Sequence, residues 1–248
     1  LTLSSTLSQY QGGYNISCND ANDGSIDITI SGGCAPYNFL WNTQETTEDL
    51  NGLQAGTYDI TVTDANSCST VQSITLNQPG ALSSTAQITN VNCNGGSNGA
   101  IDLTISGGTQ PYDIRWSNNA TSEDISGLST GVYQVFITDA NGCTFNATYS
   151  VSENAQLLLN VGVTNALCGQ DNGSATVSVA GGDAPYTINW SNNAATATIN
   201  NLAPGNYIVT VSDLNECSAI RTVSVNTVNT LSVSANITQP TCGNTDGK

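Results

Sequence analysis

The feature that most constrains this chain is an internal period of about 75 residues. Cys18, Cys93, Cys168 and Cys242 recur at spacings of 75, 75 and 74. Trp41, Trp116 and Trp190 keep the same step, as do Tyr58, Tyr133 and Tyr207, and Cys68, Cys143 and Cys217. Four landmarks moving together make the chain a tandem array, because self-similarity at a fixed period marks one folded unit stacked on the next. The expected units are 1–79, 80–153 and 154–228, with 229–248 as the start of a fourth. The motif that opens each unit returns at Cys242-Gly243-Asn244-Thr245-Asp246-Gly247, so the expectation is a window on a longer chain.

Each unit reads as strand throughout. In the second, Ile101, Leu103 and Ile105 alternate with Asp102 and Thr104, and Tyr112, Ile114 and Trp116 alternate with Asp113 and Arg115. A period of two marks a half-buried strand, and Gly-, Pro- and Asn-rich turns separate the runs. Six or seven short strands in about 75 residues predict an all-β fold, a tandem array of small Ig-like antiparallel β-sandwich modules. The step Leu128-Ser129-Thr130-Gly131-Val132-Tyr133 looks like a tyrosine corner and recurs at Tyr58 and Tyr207. Tyr37, Phe39 and Trp41 share one strand face with an apolar middle position, as do their counterparts. Trp41, Trp116 and Trp190 are therefore expected between the sheets rather than as sugar-stacking platforms.

Modules this small bury only about 60% of their unfolded surface and need a staple. Eight cysteines at regular spacings supply one and place the chain in an oxidising, extracellular compartment. Zinc is the weaker reading, since there is no CxxC pair and no His. With six antiparallel strands, the leading and trailing cysteines fall at one end of a unit. That predicts Cys18–Cys68, Cys93–Cys143 and Cys168–Cys217, the scheme expected here. With seven strands the ends separate, and neighbours pair instead as Cys68–Cys93, Cys143–Cys168 and Cys217–Cys242. Cys34 stands outside both schemes, where the other units carry Thr109 and Asp183.

The net charge of -16, with three basic residues, excludes binding to nucleic acid or to an anionic membrane surface, which needs Lys and Arg. No apolar run is long enough for membrane insertion. An enzyme lacks parts: there is no His, the one Lys is Lys248, and Arg115 and Arg221 are not equivalent between units. Glu48-Asp49 and Glu123-Asp124 are read as solvated charge, because neighbours in a strand face opposite ways. Asp20, Asn22, Asp23 and Asp27 loosely match a calcium loop. The set does not recur in the other units as the ligands of a structural ion should, so no metal or cofactor is expected. Asp64, Asp139 and Asp213 do recur, and they read as side chains that cap a hairpin turn.

The ordered string Gly-Ser-Ile-Asp-Ile-Thr-Ile-Ser-Gly-Gly-x-x-Pro-Tyr-x-x-x-Trp resembles the SprB repeat family, together with the later Gly-x-Tyr-x-x-x-Val-x-Asp-x-Asn-x-Cys. The third unit departs from it at Ala197, Thr198 and Glu216. The resemblance implies very large cell-surface adhesins of gliding and biofilm-forming Bacteroidetes, exported by the type IX secretion system. It implies a stalk or filament segment that spaces a distal adhesive region from the cell. Expected partners are neighbouring repeats, other filament chains or surface glycans. Two further readings remain: a module that binds carbohydrate through loops at Cys34-Ala35, Thr109-Gln110 and Asp183-Ala184, or the stalk of a secreted polysaccharide-degrading enzyme.

Overall fold

A computed structural model describes residues 1–228 and Ser234. The reading of 229–248 as a fourth repeat lies outside the described residues. The first repeat holds β1 (Thr2–Leu7), β2 (Gly24–Ser31), β3 (Asn38–Trp41), β4 (Leu50–Leu53), β5 (Gly56–Thr63) and β6 (Ser69–Leu76). The second holds β7 (Ser83–Thr89), β8 (Gly99–Ser106), β9 (Asp113–Trp116), β10 (Ile125–Leu128), β11 (Gly131–Thr138) and β12 (Thr144–Val151). The third runs β13 (Leu158–Thr164), β14 (Ala166–Leu167), β15 (Gly173–Ala180), β16 (Thr187–Trp190), β17 (Thr198–Leu202), β18 (Gly205–Ser212) and β19 (Ser218–Val225), followed by β20 (Thr227–Val228). A single 3-10 turn, Gln11–Gly13, is the only helical element among the described residues, and no helix there is long and apolar enough to cross a membrane.

Each repeat is an immunoglobulin-like antiparallel sandwich of two three-stranded sheets. In the first repeat the sheets are β1-β2-β4 and β3-β5-β6, and the other two repeats copy this order. The alternation read from the sequence produces these sheets directly. Along β2 and β8 every second residue is buried, and Ile26, Ile28, Ile101 and Leu103 face inward. Three separate cores result, built around Trp41, Trp116 and Trp190, each 3% exposed or less.

The direction of each strand decides what the ends of a repeat carry. β1 pairs antiparallel with β2, and β4 pairs antiparallel with the first half of β2, Leu53 lying opposite Gly24. β3 pairs with the last half of β5, Asn38 lying opposite Thr63. β3 and β4 therefore run the same way: one pass along the sandwich begins in one sheet and finishes in the other. The near end of a repeat holds the start of its first strand, the loop after β2 and the β5–β6 hairpin. The far end holds the loop after β1, the β4–β5 turn and the end of β6. Gly24 sits at the far end, where a Cβ would lie 2.4 Å from Ile16 Cδ1 and 2.9 Å from the Leu53 carbonyl oxygen. Only glycine allows β4 to approach that closely.

The contacts divide the chain into two compact units. One contains the first repeat and the second repeat to Glu153; the other contains Asn92–Asn94 with the third repeat.

Candidate functional site: the cystine joints

The chemistry of this chain lies at the ends of the repeats. At the near end, Asp139 is nearly buried and its carboxylate collects three backbone N–H groups. Oδ1 accepts from Asn141 and Cys143, each at 2.9 Å, and Oδ2 accepts from Thr109 at 2.8 Å. Asp64 does the same for Asn66, Cys68 and Cys34, and Asp213 for Asn215, Cys217 and Asp183. One carboxylate thus ties the hairpin to the loop after the second strand and fixes the backbone of the hairpin cysteine. The Cys68 N–H foremost holds the Asp64 carboxyl below its usual range, against the cost of burial. For Asp213 the Asp183 N–H has that leading role.

At the far end, a buried residue sits two places before each leading cysteine. Ile16, Val91 and Ala166 are 1% exposed or less, and their N–H groups donate to the carbonyls of Asn77, Ser152 and Asn226 at 3.1, 2.9 and 2.9 Å. The preceding Asn15, Asn90 and Asn165 accept in return from the N–H of the same three residues. The leading cysteine is thereby docked beside the point where the chain leaves the repeat.

Far end meets near end at the disulfide Cys18–Cys143, with an S–S length of 2.04 Å and Cα atoms 5.7 Å apart. Around it the Asn141 amide lies across the gap: Oδ1 accepts from the Gln11 N–H at 3.0 Å, and Nδ2 donates to Gln11 and Ser17 carbonyls. Gly12, at φ +81°, passes so near Thr109 that a Cβ would stand 3.0 Å from its methyl. The linker is held as well, with Asp20 N–H on Gln78 Oε1 at 2.9 Å and Gln78 Nε2 returning to Asp20 Oδ1.

The second unit contains the same bond, Cys93–Cys217, with Cα atoms 5.5 Å apart. There Asn154 donates to the Asn92 carbonyl and to Asp183, which also accepts from Asn215. Cys18 and Cys93 are each joined to the hairpin cysteine of the following repeat.

These bonds correct both pairing schemes read from the sequence. Cys18–Cys68, Cys93–Cys143 and Cys168–Cys217 are absent, because the shared direction of β3 and β4 puts the two cysteines of one repeat at opposite ends. Eight-residue strands separate those ends by roughly 26 Å. The neighbour scheme fails too: Cys68 and Cys168 are free, Cys93 and Cys143 have other partners, and Cys242 lies outside the described residues. Cys34 is also free and exposed, and its N–H donates to Asp64.

Trp41, Trp116 and Trp190 lie in the cores, each ring N–H bonded to a carbonyl, of Thr47, Ser122 and Thr196. Tyr58, Tyr133 and Tyr207 donate to the carbonyls of Gln54, Ser129 and Ala203, four residues back. Of the loose calcium set, Asp20 is engaged with Gln78, and Asp23 accepts from the Ser17 N–H at 3.1 Å. Asp27 lies on β2 and Asn22 in the loop before it. Among the described residues no group of three or more His, Cys, Asp or Glu could hold a metal.

One role was missed in the sequence. Asp49 and Asp124, read as solvated charge, accept the backbone N–H of Ile28 and Leu103 at 2.9 Å. Each stands just before the short fourth strand and satisfies a donor of the second strand that lies beyond its pairing. In the third repeat, which lacks the acidic pair, the Ala197 carbonyl takes the Val177 N–H instead.

The SprB repeat model matches residues 14–46, 85–121 and 160–195. The chain carries three SprB repeats. Each matched segment contains the leading cysteine and the core tryptophan, and ends before the hairpin cysteine. The SprB model therefore covers about half of each repeat. None of the curated proteins matches the chain. Among solved structures, the three SprB repeats are similar to the three N-terminal domains of the bacteriophage RB49 Highly Immunogenic Outer Capsid protein, at 15% identity and TM-score 0.42, covering 91% of this chain and 95% of that one. They are similar too to the mouse nectin-like molecule 4 ectodomain, at 10% identity and TM-score 0.34, covering 94% and 96%. Sidekick-1 immunoglobulin domains 1–5 follow at 13% and TM-score 0.37, covering 86% and 56%. Likeness at this level says nothing of what the SprB repeats do.

Proposed function

We propose that this chain is a structural stalk segment of a large secreted cell-surface adhesin, spacing a distal adhesive region from the cell. The observation that carries the reading is the Cys18–Cys143 bond, which joins one repeat to the next instead of closing a single module. A staple inside a module protects that module; a staple across a boundary protects the array. Stable cystines belong to an oxidising compartment outside the cytoplasm. The charge of -16 supplies mutual repulsion and solubility to a chain standing in water.

The competing reading, direct glycan binding through the loops after the second strands, has less support. Thr109 is 6% exposed and packs in the first joint, and Asp183 is engaged by Asn154 and Asn215 in the second. Two of the three loops are thus occupied in building joints. A catalytic role has no His, and Asp64 and Asp213, the depressed carboxyls of the hairpins, are spent on backbone amides.

The test is deletion of residues 1–228 from the parent protein, with surface extensions measured by electron microscopy. A stalk segment shortens them while ligand capture by the distal part of the purified protein is retained. Loss of capture with unchanged reach would assign the segment to binding instead.

A further inference from the structure

Among the described residues two joints are closed, and two halves of the same joint stand open. Cys68 occupies in the first repeat the position of Cys143 and Cys217, presented by the same carboxylate: Asp64 accepts from Asn66 and Cys68 as Asp139 accepts from Asn141 and Cys143. Cys168 occupies in the third repeat the position of Cys18 and Cys93, behind the buried Ala166 and the same backbone bond to the chain exit. Both thiols are free and exposed.

The surroundings of Cys168 differ from those of Cys18 in the first closed joint. Ser17, just before Cys18 in the closed joint, is 9% exposed; Leu167, just before Cys168, is 46% exposed, and its strand partner Val228 is 37% exposed. Two apolar side chains lie open beside a docked thiol. At the other end, Asn66 stands in register with Asn141, the amide that grips Gln11 and Ser17 across the first joint.

We propose that Cys168 and Cys68 are the two complementary halves of a cystine joint and that each takes another SprB repeat as its partner. Cys168 receives the hairpin cysteine of a following repeat, and Cys68 the leading cysteine of a preceding one. Between two copies of this chain the bond is Cys168–Cys68, head to tail. The oxidant is a small-molecule disulfide of the glutathione class. The Cys68 thiolate attacks it and expels one thiolate. The Cys168 thiolate then attacks the mixed disulfide and expels the second, so two protein thiols become one cystine and one disulfide becomes two thiols. The proposal goes beyond the stalk reading and does not rest on it, since it concerns which surfaces and thiols recognise each other.

Two variants of the full chain test it, both in a background of Cys34→Ser and Cys242→Ser: Cys68→Ser, which keeps Cys168, and Cys168→Ser, which keeps Cys68. Neither change touches a closed cystine, and retention of Cys18–Cys143 and Cys93–Cys217 in the peptide map checks folding. In a glutathione redox buffer each variant alone is expected to stay monomeric on a non-reducing gel. Mixed, they are expected to give a heterodimer about tenfold over either homodimer, because docking raises the local thiol concentration. Its crosslinked peptide should contain Cys68 and Cys168. Equal homodimer and heterodimer yields would show two merely exposed thiols and overturn the proposal. So would no dimer at all.

Discussion

Cys18 and Cys143 lie 125 positions apart in the chain and are directly bonded, and the same step recurs from Cys93 to Cys217 at 124. The two loops overlap between Cys93 and Cys143. Among the described residues no cystine isolates a module, and both cross a boundary between repeats.

The overlap sets the reach of the chain under tension. With both cystines intact, the shortest covalent route from Cys18 to Cys217 runs through only the roughly 50 residues between Cys93 and Cys143. Reduced, the route is about 199 residues. At about 3.5 Å per residue the fully unfolded span between those cysteines is about 175 Å oxidised and about 700 Å reduced. Force spectroscopy with handles outside Cys18 and Cys217 should record this roughly fourfold change on adding reductant. Equal contour lengths in the two states would contradict the pairing.

Removing the first joint as a pair, Cys18→Ser with Cys143→Ser, should cost on the order of 2–4 kcal/mol in urea unfolding of the first two repeats. The third repeat, whose cystine is untouched, serves as the internal control. A non-reducing peptide map of the unaltered chain should contain Cys18–Cys143 and Cys93–Cys217 and no Cys18–Cys68.

The Asp139 carboxylate holds three backbone donors at the hairpin that presents Cys143. Asp139→Ala strands them, at about 1–3 kcal/mol. It should also slow reoxidation of the Cys18–Cys143 pair after reduction, while Cys93–Cys217 forms at its normal rate. A uniform slowing of both pairs would mean general unfolding rather than loss of local presentation.

Acid should loosen the hairpins before the cores. Asp64 and Asp213 have folded values lowered from the usual carboxyl range by backbone N–H groups. Groups depressed in this way contribute stability above their unfolded value, about 3.9, and lose it as pH falls through the folded value. Amide exchange at Cys68 and Cys217 should therefore speed up below about pH 4, ahead of exchange at Ile60 and Val209 in the strands. Unchanged protection of the two cysteine amides through that range would refute the role given to the carboxylates.

Gly99 is the second-repeat counterpart of Gly24, with an added Cβ placed 2.8 Å from Val151 Cγ1 and 2.9 Å from the Leu128 carbonyl oxygen. Gly99→Ala should lower the stability of that repeat by about 1–3 kcal/mol through overpacking. Thermal unfolding reads this directly, and a neutral result would show that β10 can shift.

Much of this was legible in the residues. Period-two runs such as Ile101-x-Leu103 are strands, and the turns between them are where Gly, Pro and Asn cluster. Asp64, Asp139 and Asp213 recur because the hairpin needs an acceptor, and three backbone donors converge on each. The role of Asp49 and Asp124 was not legible, since it depends on which N–H groups of β2 and β8 are left without a strand partner. That depends on where β4 and β10 begin, at Leu50 and Ile125, and no local pattern marks it.

The sequence by itself determined the repeat, its all-β character, the face each strand buries and the need for covalent staples. Alternation follows from Cβ atoms pointing to opposite faces of a strand, which is a local property of the chain. Which cysteines pair was decided only by the tertiary structure. Alternation is the same whether a strand runs up or down, so it carries no record of direction. Cys18 follows β1 at the far end, and the pass that starts in β3 and finishes in β4 without turning back is what sends Cys68 to the near end. From that single change of sheet it follows that the cystines bind repeat to repeat.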